Sequence, residues 1–258
     1  MALLVLSGSA RAGTVTLTGS CPDRVLNGTA FFNLSNSGND TPYGLTVVPH
    51  IPNAQTANGT YSLSELPPGP AARFNMTLSN VTGRGTYVGY FDVAYQQGGS
   101  DFFTAVFPCK FSFRKATVSS LYLSPTVLDL SNGTVLVRVA LLNGGASEVD
   151  SDVSLILPSS LSNASYGDQA LSLAPGVQEN VSFYVRIPSS DASYSAAVAA
   201  GYEAGGLSYA SLSSFTISSG GARQVNFGTV ALAAAVAATG ALLVLLALVS
   251  MRKKRKPA

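Results

Sequence analysis

The 258-residue chain is 47% hydrophobic and only 11% charged, less than half the charged share usual in soluble proteins. Its net charge of +2 is unevenly placed: Arg252, Lys253, Lys254, Arg255 and Lys256 fall in the last seven positions, and all thirteen acidic residues lie well before them. Without that cluster ten basic residues face thirteen acidic ones, which excludes the basic footprint of a nucleic-acid binder.

At the amino end, Ala10-Arg11-Ala12 forms an A-x-A cleavage pattern behind the short apolar stretch Ala2–Leu6, so residues 1–12 read as a short signal segment. The apolar core is shorter than the usual seven to fifteen residues and no basic residue precedes it. A minimal signal and a start further upstream both fit this pattern. A tail-anchored chain with its amino part in the cytoplasm is the alternative, and the acceptor and cysteine patterns below weigh against it.

Residues 13–112 predict an all-β domain with strands near 14–19, 28–35, 44–49, 72–79, 86–95 and 101–107. Phe74, Met76 and Leu78 share one face, as do Tyr87, Phe91, Val93 and Tyr95. Between these strands Leu66-Pro67-Pro68-Gly69-Pro70 breaks the pattern sharply, as Pro fixes φ and Gly admits positive φ. The same punctuation returns at Leu173-Ala174-Pro175-Gly176. The offset that carries Gly69 onto Gly176 also places Asn36-Ser37-Gly38 on Asn143-Gly144-Gly145, Tyr87 on Tyr194, Tyr95 on Tyr202, and Gly98-Gly99 on Gly205-Gly206. Ala30, Phe32 and Leu34 fall on Val137, Val139 and Leu141. One spacing that serves five separated features marks two copies of one domain. Residues 113–217 therefore predict a second sandwich, with strands near 116–123, 133–142, 152–157, 179–187, 193–203 and 207–217. Val181, Phe183, Val185 and Ile187 form its matching apolar face. Each copy has about 100 residues, enough for its own core.

A stalk over 218–226 leads to 227–251, which contains no charged residue. About twenty apolar residues in a helix cross the hydrocarbon core of a bilayer. The basic cluster Arg252–Lys256 follows directly and reads as a stop-transfer signal in a cytoplasmic tail, 252–258, under the positive-inside rule. Ala234, Ala238 and Gly240 put small residues on the predicted span, a pattern that permits weak self-association.

Asn27, Asn33, Asn39, Asn58, Asn75, Asn80, Asn132, Asn163 and Asn180 each begin an Asn-X-Ser/Thr glycosylation acceptor. Ser and Thr fill about a fifth of the chain, so nine acceptors among its asparagines far exceed chance. All nine precede the apolar run. Cys21 and Cys109 are the two cysteines, and an even pair in an extracellular setting reads as a disulfide.

The order "NSG", a strand ending in Pro49, "LPPG", then "GTYVGYFDVAYQQGG" resembles the CARDB-type Ig-like domains of archaeal surface-layer-associated membrane proteins. The second copy supplies Asn143 to Gly145, Pro158, Leu173 to Gly176 and Tyr194 to Gly206. The resemblance covers nearly all of residues 14–217 and consists of turns and core positions. It implies two tandem Ig-like β-sandwiches on a secreted, glycosylated and membrane-anchored protein, and specifies no ligand.

Catalytic chemistry has little to draw on. His50 is the single histidine, and no Gly-X-Ser-X-Gly elbow accompanies it. One histidine and two paired cysteines cannot supply a zinc site. Glu148, Asp150 and Asp152 form the one acidic cluster, and the first copy has no acids at the matching positions. A solvated loop is expected there in preference to a calcium site. The sequence thus predicts no enzyme and no cofactor. It predicts a structural or adhesive protein of the cell envelope, with the membrane and other envelope proteins as partners. An accessory ectodomain of a transporter complex is the alternative. The loops around Asn143–Asp152 and Gly205–Gly206, in the copy with fewer acceptors, are the expected contact region.

Overall fold

The computed structural model describes residues 13–26, 28–51, 55–56, 59–79, 83–99, 101–130, 133–163, 167–188 and 193–218. The expected signal segment, most of the stalk, the apolar run and the basic tail lie outside them. Among the described residues no helix is long and apolar enough to cross a membrane.

The described elements are all strands. The first copy runs β1 (Leu17–Ser20), β2 (Arg24–Val25), β3 (Thr29–Asn36), β4 (Tyr43–His50), β5 (Gln55–Thr56), β6 (Tyr61–Glu65), β7 (Ala71–Ser79), β8 (Arg84–Gln97) and β9 (Asp101–Phe113). The second runs β10 (Leu121–Asp129), β11 (Thr134–Asn143), β12 (Val149–Ile156), β13 (Ser162–Asn163), β14 (Gln169–Leu173), β15 (Gln178–Arg186), β16 (Ser193–Ala204) and β17 (Leu207–Ser218). In the first sandwich a β1-β3-β7-β5 sheet packs on strands β6, β4, β8 and β9; in the second, β10-β11-β15-β13 packs on β14-β12-β16-β17.

The two copies share their register. Phe32 lies opposite Phe74 and Ala30 opposite Met76; at the matching places of the second copy, Val139 lies opposite Val181 and Val137 opposite Phe183. All eight are buried, because alternation in a two-layer sandwich sends every second residue between the sheets. Short edge strands β6 and β14, which alternation alone does not mark, occupy equivalent places with Tyr43 opposite Glu65 and Asp150 opposite Ser172. One departure is local: a bulge between Tyr43 and Thr46 shifts the β4–β8 register.

The Pro-Gly turns have a definite role. Asn36 Nδ2 donates to the carbonyls of Asp40 (2.6 Å) and Leu66 (3.2 Å), and its Oδ1 accepts from the Gly38 N–H (2.9 Å). Asn143 repeats the set with Ser147 (2.8 Å), Leu173 (2.9 Å) and Gly145 (2.9 Å). The Gly69 N–H then donates to the Asn36 carbonyl at 3.0 Å, and that of Gly176 to Asn143 at 2.8 Å. Every partner is displaced by the same offset as the asparagines themselves. Both asparagines are buried (1% and 0% exposed), so their polar groups depend on these bonds. The turn glycines adopt positive φ (101° and 72°), and this aims their N–H groups back at the asparagine.

The sandwiches belong to one compact unit. β17 pairs with β8 in parallel through Leu207–Arg84 and Ser208–Gly85, which joins the inner sheets into one nine-stranded sheet. Gly85 (φ 140°) is required at this crossing, because a Cβ there would collide with the Ser208 carbonyl oxygen. Thr86 and Thr117 clasp the connector: each backbone N–H donates to the other's hydroxyl, at 2.9 and 3.0 Å. Thr117 Oγ1 donates onward to the Ser208 carbonyl at 2.6 Å. A third small core of Val88, Val106, Ile156, Ala197 and Ala210 fills the space between the two inner sheets. The strand expected at 116–123 begins only at Leu121, because residues 114–120 serve this junction and Arg114 takes a positive φ of 60°.

Candidate functional site

Beside the third core the two inner sheets diverge and leave a cleft of about 1030 Å³. From the first sandwich, β4 contributes Pro49 and His50 and β8 contributes Tyr87, Val88 and Tyr90. From the second, β12 contributes Asp150, Asp152 and Ser154, the β16–β17 hairpin contributes Glu203 and Ser208, and Asp168 enters just ahead of β14. Strand alternation explains the placement: Asp150 and Asp152 point away from the second core while Val149, Ser151 and Val153 between them are buried. Two of the acids expected on a solvated loop, Asp150 and Asp152, therefore lie on the start of strand β12 and line the cleft between the sandwiches.

Four carboxylates (Asp150, Asp152, Asp168 and Glu203) line the cleft, and neither Lys nor Arg does. His50 stacks on Tyr90 with centroids 4.4 Å apart and rings 14° from parallel, and Tyr202 stacks on Tyr209 at 4.9 Å and 4°. Deeper in the cleft the Ser208 hydroxyl donates to the Tyr87 hydroxyl at 3.0 Å. Burial raises the Tyr90 phenol above its ordinary value of 10.0, and the negative charges of Asp92 and Asp168 raise it further. The Asp92 Oδ1 is itself buried with no hydrogen-bond partner among the described residues. The arrangement gathers four exposed carboxylates and their acceptor oxygens along one open face. Among the described residues no group of three or more His, Cys, Asp or Glu side chains is placed to hold a metal ion.

The disulfide between Cys21 and Cys109 is present, with Cα atoms 6.0 Å apart and a sequence separation of 88. It ties the end of β1 to the middle of β9, so it joins the two sheets of the first sandwich, with Cys109 buried in the core. Glu148 lies outside the cleft and accepts a hydrogen bond from Ser172 at 2.8 Å. Asn75 and Asn180 are exposed, and Asn33 is half-buried on the face of β3 opposite Phe32 and Leu34. Asn39 is exposed, and its Oδ1 accepts from the Thr14 N–H at 2.7 Å. Asn163 lies in β13 opposite Val185. Asn27, Asn58, Asn80 and Asn132 lie outside the described residues, as do Ala234, Ala238, Gly240 and the cluster Arg252, Lys253, Lys254, Arg255 and Lys256.

Of the expected contact region, Asp150 and Asp152 reach the cleft. The Gly205–Gly206 hairpin leads directly into the β17 residues that pair with β8. Sequence reading missed Tyr90, Asp168 and Glu203. The only signal for Tyr90 was its place on the outward face of β8, with Val88, opposite the face of Tyr87, Phe91 and Val93.

No family model matches the chain, and no curated protein does. Among solved structures, Escherichia coli alpha-2-macroglobulin activated by porcine elastase is 12% identical over 82% of this chain, with a TM-score of 0.31. The chain spans only 22% of that protein's length. The YadV chaperone (13% identity, TM-score 0.29) matches over 77% of this chain and 99% of its own. A protein of unknown function from Porphyromonas gingivalis W83 matches at 13% identity and TM-score 0.30, over 75% of this chain and 98% of its own. Likeness at this level assigns neither a family nor a role.

Proposed function

We propose that the chain is a single-pass, N-glycosylated surface protein whose two Ig-like sandwiches stand outside the membrane and act by position and contact in the cell envelope. The observation that carries this reading is the coincidence of nine acceptor sites, all on the amino side of the apolar run 227–251, with a run of five basic residues directly after it. The Cys21–Cys109 bond supports an oxidising compartment for the sandwiches. Exposed Asn75 and Asn180 support glycans that leave the cores undisturbed. The pairing of β17 with β8 into one sheet is compatible with a mechanical role, since a continuous sheet links the orientation of one sandwich to that of the next.

Glycopeptide mass spectrometry on native membranes, with protease added to intact cells, tests the proposal. The expected result is occupied acceptors and release of the sandwiches while the basic tail survives. Unmodified asparagines together with sandwiches that resist protease until lysis would overturn it.

A further inference from the structure

We propose that the β8–β9 hairpin, led by Phe102 with Phe103 beside it, docks into the interfacial layer of the membrane that 227–251 is read to cross. The inference rests on that membrane reading and adds to it a second contact, made by the first sandwich.

Strand registers place the hairpin. At the crossing Gly85 lies against Ser208, so β8 and β17 start side by side and run the same way. Further along, Val88 and Val106 pack with Ile156, Ala197 and Ala210. Beyond that core Thr104 Oγ1 donates to the Ser160 hydroxyl at 2.6 Å and accepts from the Ser160 N–H at 3.1 Å. Ser160 lies past the end of β12, where Ile156 pairs with Ala197, and β16 starts with Ser193 opposite Ser218 at the end of β17. The hairpin turn and Ser218 therefore share one end of the joined sandwiches. From 218 to 227 the chain can span at most about 30 Å, so a bilayer crossed by the apolar run must pass close to this end.

The chemistry of the hairpin fits that neighbour. Phe102 is 75% exposed, more than any other aromatic ring among the described residues, and Phe103 is 41% exposed and stacks on Tyr95 at 5.6 Å. Gly98 and Gly99 take positive φ (65° and 92°) in the turn, and Gln97 lies opposite Asp101 at its base. Gln97 Nε2 fixes that base by donating to the Gly13 carbonyl at 2.8 Å and to Asp40 Oδ2 at 3.0 Å. The matching hairpin of the second sandwich is a contact already, since Leu207 and Ser208 behind its glycines pair with β8. Exposed phenylalanines suit the boundary between headgroups and acyl chains. A single ring binds weakly, but a tether holds it near the surface at high effective concentration. The hairpin carries Asp101 and neither Lys nor Arg, so the contact is apolar and needs no anionic headgroup.

The chain has no tryptophan, so Phe102→Trp gives the full-length protein a single reporter. The variant is reconstituted in phosphatidylcholine vesicles, with and without bromine on the acyl chains near the headgroups. A blue-shifted emission that brominated lipid quenches several-fold is expected, unchanged by high salt because no ion pair is involved. Phe103→Trp, on the strand that leans on Tyr95, should be quenched less. Val118→Trp, 89% exposed on the connector next to Thr117 and its bond to Ser208, should emit as a solvated ring in both vesicles. The acceptor Asn39 lies at the hairpin end, beside Thr14, so the chain is also measured after enzymatic deglycosylation. Quenching in both forms is expected, and quenching only after deglycosylation would overturn the docking. Protein that floats with the vesicles but shows no quenching at 102, or equal quenching at 102 and 118, would overturn the docking and leave the membrane anchor standing. An unquenched blue shift that grows with the protein-to-lipid ratio would overturn it in favour of contact with a second copy. Protein that does not float with the vesicles would overturn the anchor and the docking together.

Discussion

At matched positions of the two sandwiches, Phe32, Phe74 and Phe91 in the first are replaced by Val139, Val181 and Val198 in the second, and all six are buried. Phe32 stacks on Phe91 with centroids 4.1 Å apart, and the disulfide closes the same sandwich. The second has neither. It shifts bulk by one pair along the strands instead, with Val137 and Phe183 where the first has Ala30 and Met76. The asparagine clamps, by contrast, share three side-chain bonds at matched partners and differ in a weaker fourth to Oδ1, from the Thr16 N–H in the first and the Ser120 hydroxyl in the second. Core volume can be redistributed among neighbours so long as the total is kept. A buried amide that satisfies three backbone groups cannot be, because any substitute leaves donors and acceptors orphaned.

The comparison can be broken most forcefully at its aromatic centre. Phe32→Ala should destabilise the first sandwich by about 3–5 kcal/mol, as expected for a buried aromatic reduced to a methyl group. Val139→Ala should cost the second less, about 2 kcal/mol from two lost methyl-sized groups and a small cavity. Chemical denaturation with hydrogen exchange resolved by segment separates the two, and equal losses would contradict the difference in packing. Replacing both cysteines by serine should cost about 2–5 kcal/mol, since a sequence separation of 88 closes a long loop. Exchange protection should fall in β1–β9 and much less in β10–β17 away from the junction.

Smaller effects sharpen the comparison from the side of likeness. Asn36→Ala and Asn143→Ala should each cost about 2–3 kcal/mol and agree with each other within ~1 kcal/mol, because each orphans the same three matched backbone groups. Unequal losses measured by thermal unfolding would show that the clamps are equivalent in geometry alone. The smallest effect is one of pH. Tyr61, Tyr90 and Tyr95 of the first sandwich have phenols raised above 10.0, each chiefly by burial. A raised phenol binds its proton more tightly in the folded state, so its contribution is fully present below pH 10 and is lost as pH rises through the folded value. Tyr90→Phe should therefore flatten the alkaline decline in stability of the first sandwich slightly, without effect at neutral pH.

Much of the fold was legible in residue order. Period-two alternation in Phe74-Asn75-Met76-Thr77-Leu78 and Val181-Ser182-Phe183-Tyr184-Val185 marked β7 and β15 closely. Edge strands β6 and β14 escaped because they are short and mostly exposed, and pairing on one side asks little of their side chains. Of the site, Asp150 and Asp152 were in view as part of an acidic cluster, and His50 only as the single histidine. Tyr90, Asp168 and Glu203 are far apart in the chain and meet only across the junction.

The sequence by itself determined the repeat that carries Gly69 onto Gly176, the two all-β copies, their inward faces and the pairing of Cys21 with Cys109, because local alternation, turn chemistry and a cysteine count of two are properties of the chain. Only the tertiary structure decided what lies against the outward faces. Val88, Val106, Ile156, Ala197 and Ala210 read as the solvent side of their strands until the parallel crossing at Gly85 and Ser208 brings the two sheets together. Alternation specifies that a residue leaves its own core; it carries no information on whether water or another sheet receives it.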